Sequence, residues 1–265
     1  MPKLTAITPV PFATKAWKRI TDYFFAAQLN IIHVVAAELP HLVPTMPLGF
    51  VQAGSSFELV AVCSLQPNTS LYVAPDGRWL GNYIPAALRG YPFRLAKVEG
   101  REESILCIDE ESGVVVDAGL GEAFFDESGT PAQAVQGILH FLTQVERSQL
   151  ATQAAVEALR ASGVIQRWPL NLQHGDQVAP VEGLFRIDEA ALNELSDEGF
   201  LKLRSTGGLA VAYAQLLSMN QLAVLQRLEQ MQMQLKAQAA AQINALSGLD
   251  SFNLFQDDAT ITFTY

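Results

Sequence analysis

Short alternations of apolar and polar residues, rich in β-branched and aromatic side chains, fill the stretch from residue 51 to about 117. FELVAVCSL, SLYV, RWLGNY, FRLAKVEG, ESILCIDE and GVVVD each have the length and composition of a strand. Turn-forming residues separate them, notably Pro67 with Asn68, the run Pro75, Asp76 and Gly77, and Ser112 with Gly113. This pattern predicts a largely antiparallel sheet in the N-terminal half. Before it, Pro40, Pro44 and Pro47 forbid one continuous helix and favour extended residues at Leu39 and Met46.

The period changes near Pro131, which suits a first helical turn behind Ser128 or Thr130 as cap. Val135, Ile138, Leu139, Leu142 and Val145 recur at three and four residues, the spacing of one helix face that packs on the sheet. A second helical stretch is expected over about 147–161, ending at Ser162 and Gly163. VIQRWPLNLQ and VEGLFRID then read as strands, with His174, Gly175 and Asp176 as a turn between them. Ser196 is a helix cap with Asp197 and Glu198 behind it, and Gly207 with Gly208 breaks the chain before a long helix over about 209–246. The alternating end, Ile261, Phe263 and Tyr265, reads as a terminal strand. The fold class is therefore α+β, with helices packed on the sheet. Residues 1–206 form a mixed body and 207–265 a helical C-terminal segment of the same domain.

Composition narrows the function. Half of the chain is hydrophobic (49%) and 17% is charged, enough apolar material over 265 residues for a sizeable core. The net charge of -10 repels phosphate backbones and anionic membrane surfaces, which argues against a nucleic-acid partner. No run reads as the 18 to 20 uninterrupted apolar residues of a membrane span, so no membrane insertion is expected. The first twenty residues lack a secretory pattern, and the expected location is cytoplasmic.

Candidate chemistry is sparse. Cys63 and Cys107 sit in apolar strand-like runs and read as buried free thiols, with a disulfide or a nucleophilic thiol as alternatives. The four histidines and two cysteines lack metal-ligand spacing, so no metal is expected. His33, inside an apolar run, reads as a core histidine, and His174 as a polar loop residue. Gly119, Leu120 and Gly121 follow a strand but lack the third glycine of a phosphate loop, and acidic Glu122 and Asp126 follow them. No nucleophile elbow or P-loop is present, and no bound zinc, iron, flavin or nucleotide is expected.

The most distinctive stretch, DGRWLGNYIPAALRGYPF over residues 76–93, mixes arginines, large aromatics and glycines. Such a mixture suits a rigid amphipathic surface that meets a ligand or a protein, and its candidate binding residues are Arg78, Trp79, Tyr83, Arg89 and Tyr91. The alternative is a structural corner with Trp79 in the core and the arginines in ion pairs. WLGNYIPAALRGYPF resembles the signature of the SapC-like family of bacterial proteins, and residues 187–225 resemble that family's C-terminal helical block. The similarity covers about residues 5–235. By resemblance, such genes lie beside outer-membrane nutrient receptors, halogenase-like flavoproteins and cupin-like oxygenases. The family name comes from a surface-layer locus, and some members carry a peptidase label. The resemblance transfers no catalytic residues.

Three readings follow. The leading one is a non-catalytic binding or accessory protein working with a protein partner, by resemblance an oxygenase or halogenase-like enzyme. Its association surface, toward a partner or a second copy, would be the apolar face Leu225, Leu228, Met231 and Leu235 of the long helix. A helix folded back on its own sheet is the alternative for that face. The second reading is an enzyme with a polar pocket near Arg78, Tyr83 and Arg89, and the third a surface-layer or export component.

Overall fold

The computed structural model describes residues 3–97, 104–174 and 177–249. Strand β1 (Leu4–Ala6), a helical turn α1 (Pro9–Phe12) and β2 (Lys15–Trp17) open the chain. Then come β3 (Ile31–His33), α2 (Leu39–Leu42), the hairpin β4 (Leu48–Ala53) and β5 (Ser56–Val62), and α3 (Ala86–Arg89). The middle contains β6 (Phe93–Lys97), β7 (Ser104–Asp109), β8 (Val115–Asp117), β9 (Glu122–Ala123) and α4 (Gln133–Ala161). Four strands follow, β10 (Ile165–Arg167), β11 (Leu170–His174), β12 (Gln177–Val181) and β13 (Leu184–Ile187). Helices α5 (Glu189–Asn193), α6 (Asp197–Thr206), α7 (Gly208–Ser218) and α8 (Leu222–Leu249) complete the described chain. The fold is α+β and its strand pairs are antiparallel.

The strands divide among several sheets rather than forming one. The largest has the order β10-β13-β4-β5-β3, and smaller ones have the orders β1-β7-β6 and β8-β2-β9. Leu59, Val60, Ala61 and Val62 of β5 are all buried, as expected of an inner strand covered on both faces. SLYV and RWLGNY do not become strands. They meet through a single bridge, Val73 to Trp79, around a turn in which Gly77 has φ +85°. Aromatic stacking replaces a ladder there, with Tyr72 and Trp79 centroids 5.2 Å apart.

Two hydrophobic cores result. The main one joins the five-stranded sheet to α4, α6, α7 and the start of α8. The second gathers Phe12, Trp17, Phe93, Ile108 and Phe124. Helix α4 serves both: Val135, Ile138 and Leu142 pack into the second core, Ala155, Val156 and Leu159 into the main one. It is one unbroken helix where two stretches were expected, because nothing near Arg147 breaks it. The polar interruption of its apolar stripe has a partner. Ala36 N–H donates to Thr152 Oγ1 at 2.7 Å and Ala37 N–H to Ser148 Oγ at 3.2 Å, so the side chains of α4 satisfy the exposed start of the 3₁₀ turn Ala36–Glu38. The cap of α4 is Ala132, not Ser128 or Thr130, whose amides instead close a turn onto Asp126 Oδ1. Leu39, expected to be extended, is helical at φ -50° and ψ -41°. Pro40 then falls in a first turn, where its missing N–H costs nothing.

Ser196 caps α6 by accepting from Gly199 N–H, and Gly207, at φ +79°, ends it. The long helix is divided by a 3₁₀ turn, Met219–Gln221, into α7 and α8. By length and composition alone the run Gly208–Gln238 is long and apolar enough to cross a membrane, with an 18-residue window of mean hydropathy 1.3, although Arg227, Glu229 and Lys236 interrupt it. Of that window 39% is buried within the protein. Gln215, fully buried, accepts from Ile187 N–H at 2.9 Å and donates to the Leu48 carbonyl at 3.2 Å. Ser218 Oγ accepts from Leu48 N–H at 2.9 Å. The expected terminal strand at residues 261–265 lies outside the described residues.

Candidate functional site

Helix α4 runs from one core to the other, and the cores leave part of its middle turns uncovered. There an open cleft of about 810 Å³ lies over Leu142, Val145, Glu146 and Gln149. One flank is β3 with the preceding Phe25, Leu29 and Asn30, and the other is the chain from Ala86 to Leu95. Phe25 and Tyr91 stack at 3.9 Å, closing one end. Burial raises the Tyr91 phenol, so it stays neutral near pH 7. The lining is mostly apolar, with His33, Glu58, Arg94 and Glu146 as its ionisable groups besides that phenol.

His33 is not a core histidine. Alternation along β3 buries Ile32 and turns the imidazole outward, with its side chain 60% exposed. Its Nδ1 lies 2.8 Å from Glu58 Oε2, which holds the ring in one orientation. Glu146 accepts from Ser104 Oγ at 3.2 Å. Arg94 makes no ion pair among the described residues.

A smaller cavity of about 130 Å³ shares His33, Glu58, Ala86, Ala87, Val145 and Gln149 with the cleft and reaches the buried Glu38. Glu38 Oε1 accepts from Tyr83 O–H at 2.9 Å and from Ala86 N–H at 2.6 Å, and Oε2 accepts from Val35 N–H at 3.3 Å. Three donors replace the water that this carboxylate loses. Burial, followed by the nearby Glu38 charge, pushes the Tyr83 phenol up to about 12, so it donates and does not act as a base near pH 7. Arg89 Nη2 donates to Tyr83 Oη at 3.0 Å, and its guanidinium sits 4.9 Å from the Phe141 ring centroid on α4. His41 stacks on Tyr83 at 5.1 Å. This cluster ties α3 to the 3₁₀ turn and to α4.

The five candidate binding residues therefore separate. Tyr91 lines the cleft. Tyr83 and Arg89 belong to the Glu38 cluster, and Arg78 pairs with Asp76 at 2.7 Å instead of joining them. Trp79 is half-buried, stacked on Tyr72, with Nε1–H donating to the Tyr83 carbonyl at 2.8 Å. A Cβ at Gly81 would come 2.7 Å from that indole nitrogen, so the close turn needs glycine. Neither of the two cavities described is lined by Arg78, Tyr83 and Arg89 together, since Arg78 turns to Asp76 while Arg89 meets Tyr83. Of the expected association face, Leu225 and Leu228 are buried in the main core. Met231 is 44% exposed and Leu235 partly so. Gln232 on the same helix is 7% exposed and donates to the Leu71 and Val73 carbonyls, which fastens α8 to the chain's own body.

Sequence reasoning missed His33, Glu38, Glu58, Arg94 and Glu146. His33 is the one polar residue in the run IIHVV, which marked it but not the face it takes; nothing local marked the others. Cys63 and Cys107 are free and buried, and burial pushes both thiols up. Among the described residues no group of three His, Cys, Asp or Glu side chains is placed to hold a metal ion. The described cleft lining contains no Ser, Thr, Cys or Lys, and its chemistry is that of ion pairing, aromatic contact and one oriented imidazole.

Among curated proteins and among solved structures, none matches the chain. The SapC family model matches residues 7–228, a span that includes both cores, the cleft and the first turns of α8. With that span matched over most of its length, the chain belongs to the SapC family.

Proposed function

We propose that the protein is a non-catalytic binding or accessory protein that acts with a protein partner received in the cleft. The observation that carries this reading is the division of the SapC-like signature. Its first half, through Tyr83, packs inward around Trp79, whereas Ala86, Ala87, Leu88, Gly90, Tyr91 and Phe93 from its second half line the open cleft. A mostly apolar lining with a few oriented charges is the composition of a recognition site. The resemblance directs the partner toward an oxygenase or halogenase-like enzyme linked to nutrient uptake. Tagged full-length chain, cross-linked and purified from its native cells, should retain one protein in stoichiometric amount. A chain that purifies alone after cross-linking would overturn the reading.

An enzyme remains the second reading, and the His33 and Glu58 pair favours it over the arginine pocket, since a carboxylate-oriented imidazole in a cleft can take a proton. Turnover lost in His33→Ala with partner binding unchanged would select it.

A further inference from the structure

The cleft is bordered by two strand edges. Cys63 N–H donates to the Asn30 carbonyl and Val34 N–H to the Leu59 carbonyl. Hydrogen-bonded pairs alternate along an antiparallel ladder, so Asn30, Ile32 and Val34 turn their peptide groups toward β5, and Ile31 and His33 turn theirs outward. β3 ends its sheet, and among the described residues no strand covers that side. On β6, Asp109 N–H donates to the Pro92 carbonyl, which directs Arg94 and Ala96 toward β7 and Leu95 outward. β6 ends its sheet as well. Among the described hydrogen bonds, none uses the outward amide or carbonyl of Ile31, His33 or Leu95, and all three residues line the cleft.

We propose that the cleft binds an extended segment of the partner protein by strand addition to β3. The outward groups of Ile31 and His33 present donors and acceptors at the two-residue repeat that only an extended backbone matches. The alternating side chains of such a strand would meet the apolar floor of α4, Leu142 and Val145, on one side and solvent on the other. Charge complements this arrangement. Arg94, without an ion pair among the described residues, favours an acidic side chain on the β6 flank, and Glu58 favours a basic one beside β3. The inference rests on the accessory reading and adds its mode of recognition.

Random peptides of about 12 residues, displayed and selected on the full chain, provide the probe. Ala87→Trp, which places an indole at a small exposed residue lining both cavities, serves as the blocked control. Arg94→Ala, at an exposed position, is a second variant that leaves the fold undisturbed. Selected peptides should alternate apolar and polar residues, carry an acidic residue, and bind both variants at least about tenfold more weakly. Binding should slow hydrogen exchange at the Ile31 and His33 amides. Methylating alternate peptide nitrogens of the probe should weaken it by about tenfold or more, as lost backbone hydrogen bonds do. Equal enrichment on Ala87→Trp, indifference to nitrogen methylation, or exchange protection elsewhere would overturn strand addition. A large affinity gain on truncation after Leu249 would overturn it too, by making the chain's own C-terminal segment the occupant. If a co-purified partner stays bound to the Ala87→Trp protein, strand addition fails while the accessory reading stands; if no partner is retained at all, the accessory reading itself fails.

Discussion

Trp79 shows how one side chain can organise a segment that lacks regular structure. Its ring lies between Tyr72 and Tyr23, with centroids 5.2 and 5.7 Å away, and its N–H reaches the Tyr83 carbonyl. Those contacts fix the turn from which α3 and the cleft wall depart. Trp79→Ala should therefore destabilise the protein by about 3 kcal/mol in urea titration, the low end of the range for buried aromatics because the ring is only half-buried. Unchanged stability with lost partner binding would place the ring in an interface instead. The buried glutamines illustrate the same scale in a polar key. Gln215 binds the carbonyl at the start of β4 and Gln232 two carbonyls of the irregular segment around Tyr72, so they set the position of α7 and α8 along the body.

Helices α4 and α8 differ in what their faces do. α4 is a shared beam whose two ends belong to different cores, and the cleft exists because its middle turns are left over. α8 begins as a core helix and loses contact along its length. Leu225, Leu228 and Gln232 are buried, whereas Met231 and Met233 are 44% and 63% exposed. Leu228→Glu should abolish or strongly reduce folding, since it places a carboxylate in the main core without a partner. Met231→Glu should change stability by no more than about 0.5 kcal/mol, as surface substitutions do. Thermal melts of both variants check the pair; a folded Leu228→Glu protein would show that α8 is not anchored by this face.

At the scale of the molecule, stability should be lost from the alkaline side. Burial raises Cys63 and Tyr72 above their ordinary values of 9.0 and 10.0, and Tyr83 to about 12. These acids stay protonated in the folded state, while the unfolded chain begins to release their protons near its own values. Their contribution is complete below about pH 9 and falls as pH rises beyond it. Urea midpoints should be equal near pH 7 and 8, and lower at about pH 10.5, with a shallower decline in Cys63→Ala. A midpoint unchanged at the higher pH would contradict the burial of these groups. On the acid side, hydrogen bonds from Arg78, Lys15 and Arg160 lower Asp76, Asp117 and Glu157. Stability from these is present above the ordinary carboxylate range and lost as pH falls through the lowered values. All three are exposed, so solvent screening keeps that limb shallow.

The sequence by itself determined the local elements whose cause is local. Period two gave β5, β6 and β7, Ser196 and Gly207 gave the ends of α6, and the spacing from Val135 to Val145 gave the first half of α4. The distinctive stretch over residues 76–93 was legible as a unit, and its likeness to the SapC-like signature was legible with it. The division of the strands among several sheets was decided by tertiary structure, because edge or centre position depends on partners far along the chain. So was the fate of each polar residue in an apolar run. His33 reached solvent because pairing with β5 puts it on the sheet face opposite buried Ile32, Glu38 was buried because Tyr83, Ala86 and Val35 supply donors, and Gln232 was buried because two carbonyls needed one. The cleft belongs to the same class: it is the space between two cores spanned by one helix, and no residue along the chain records that space locally.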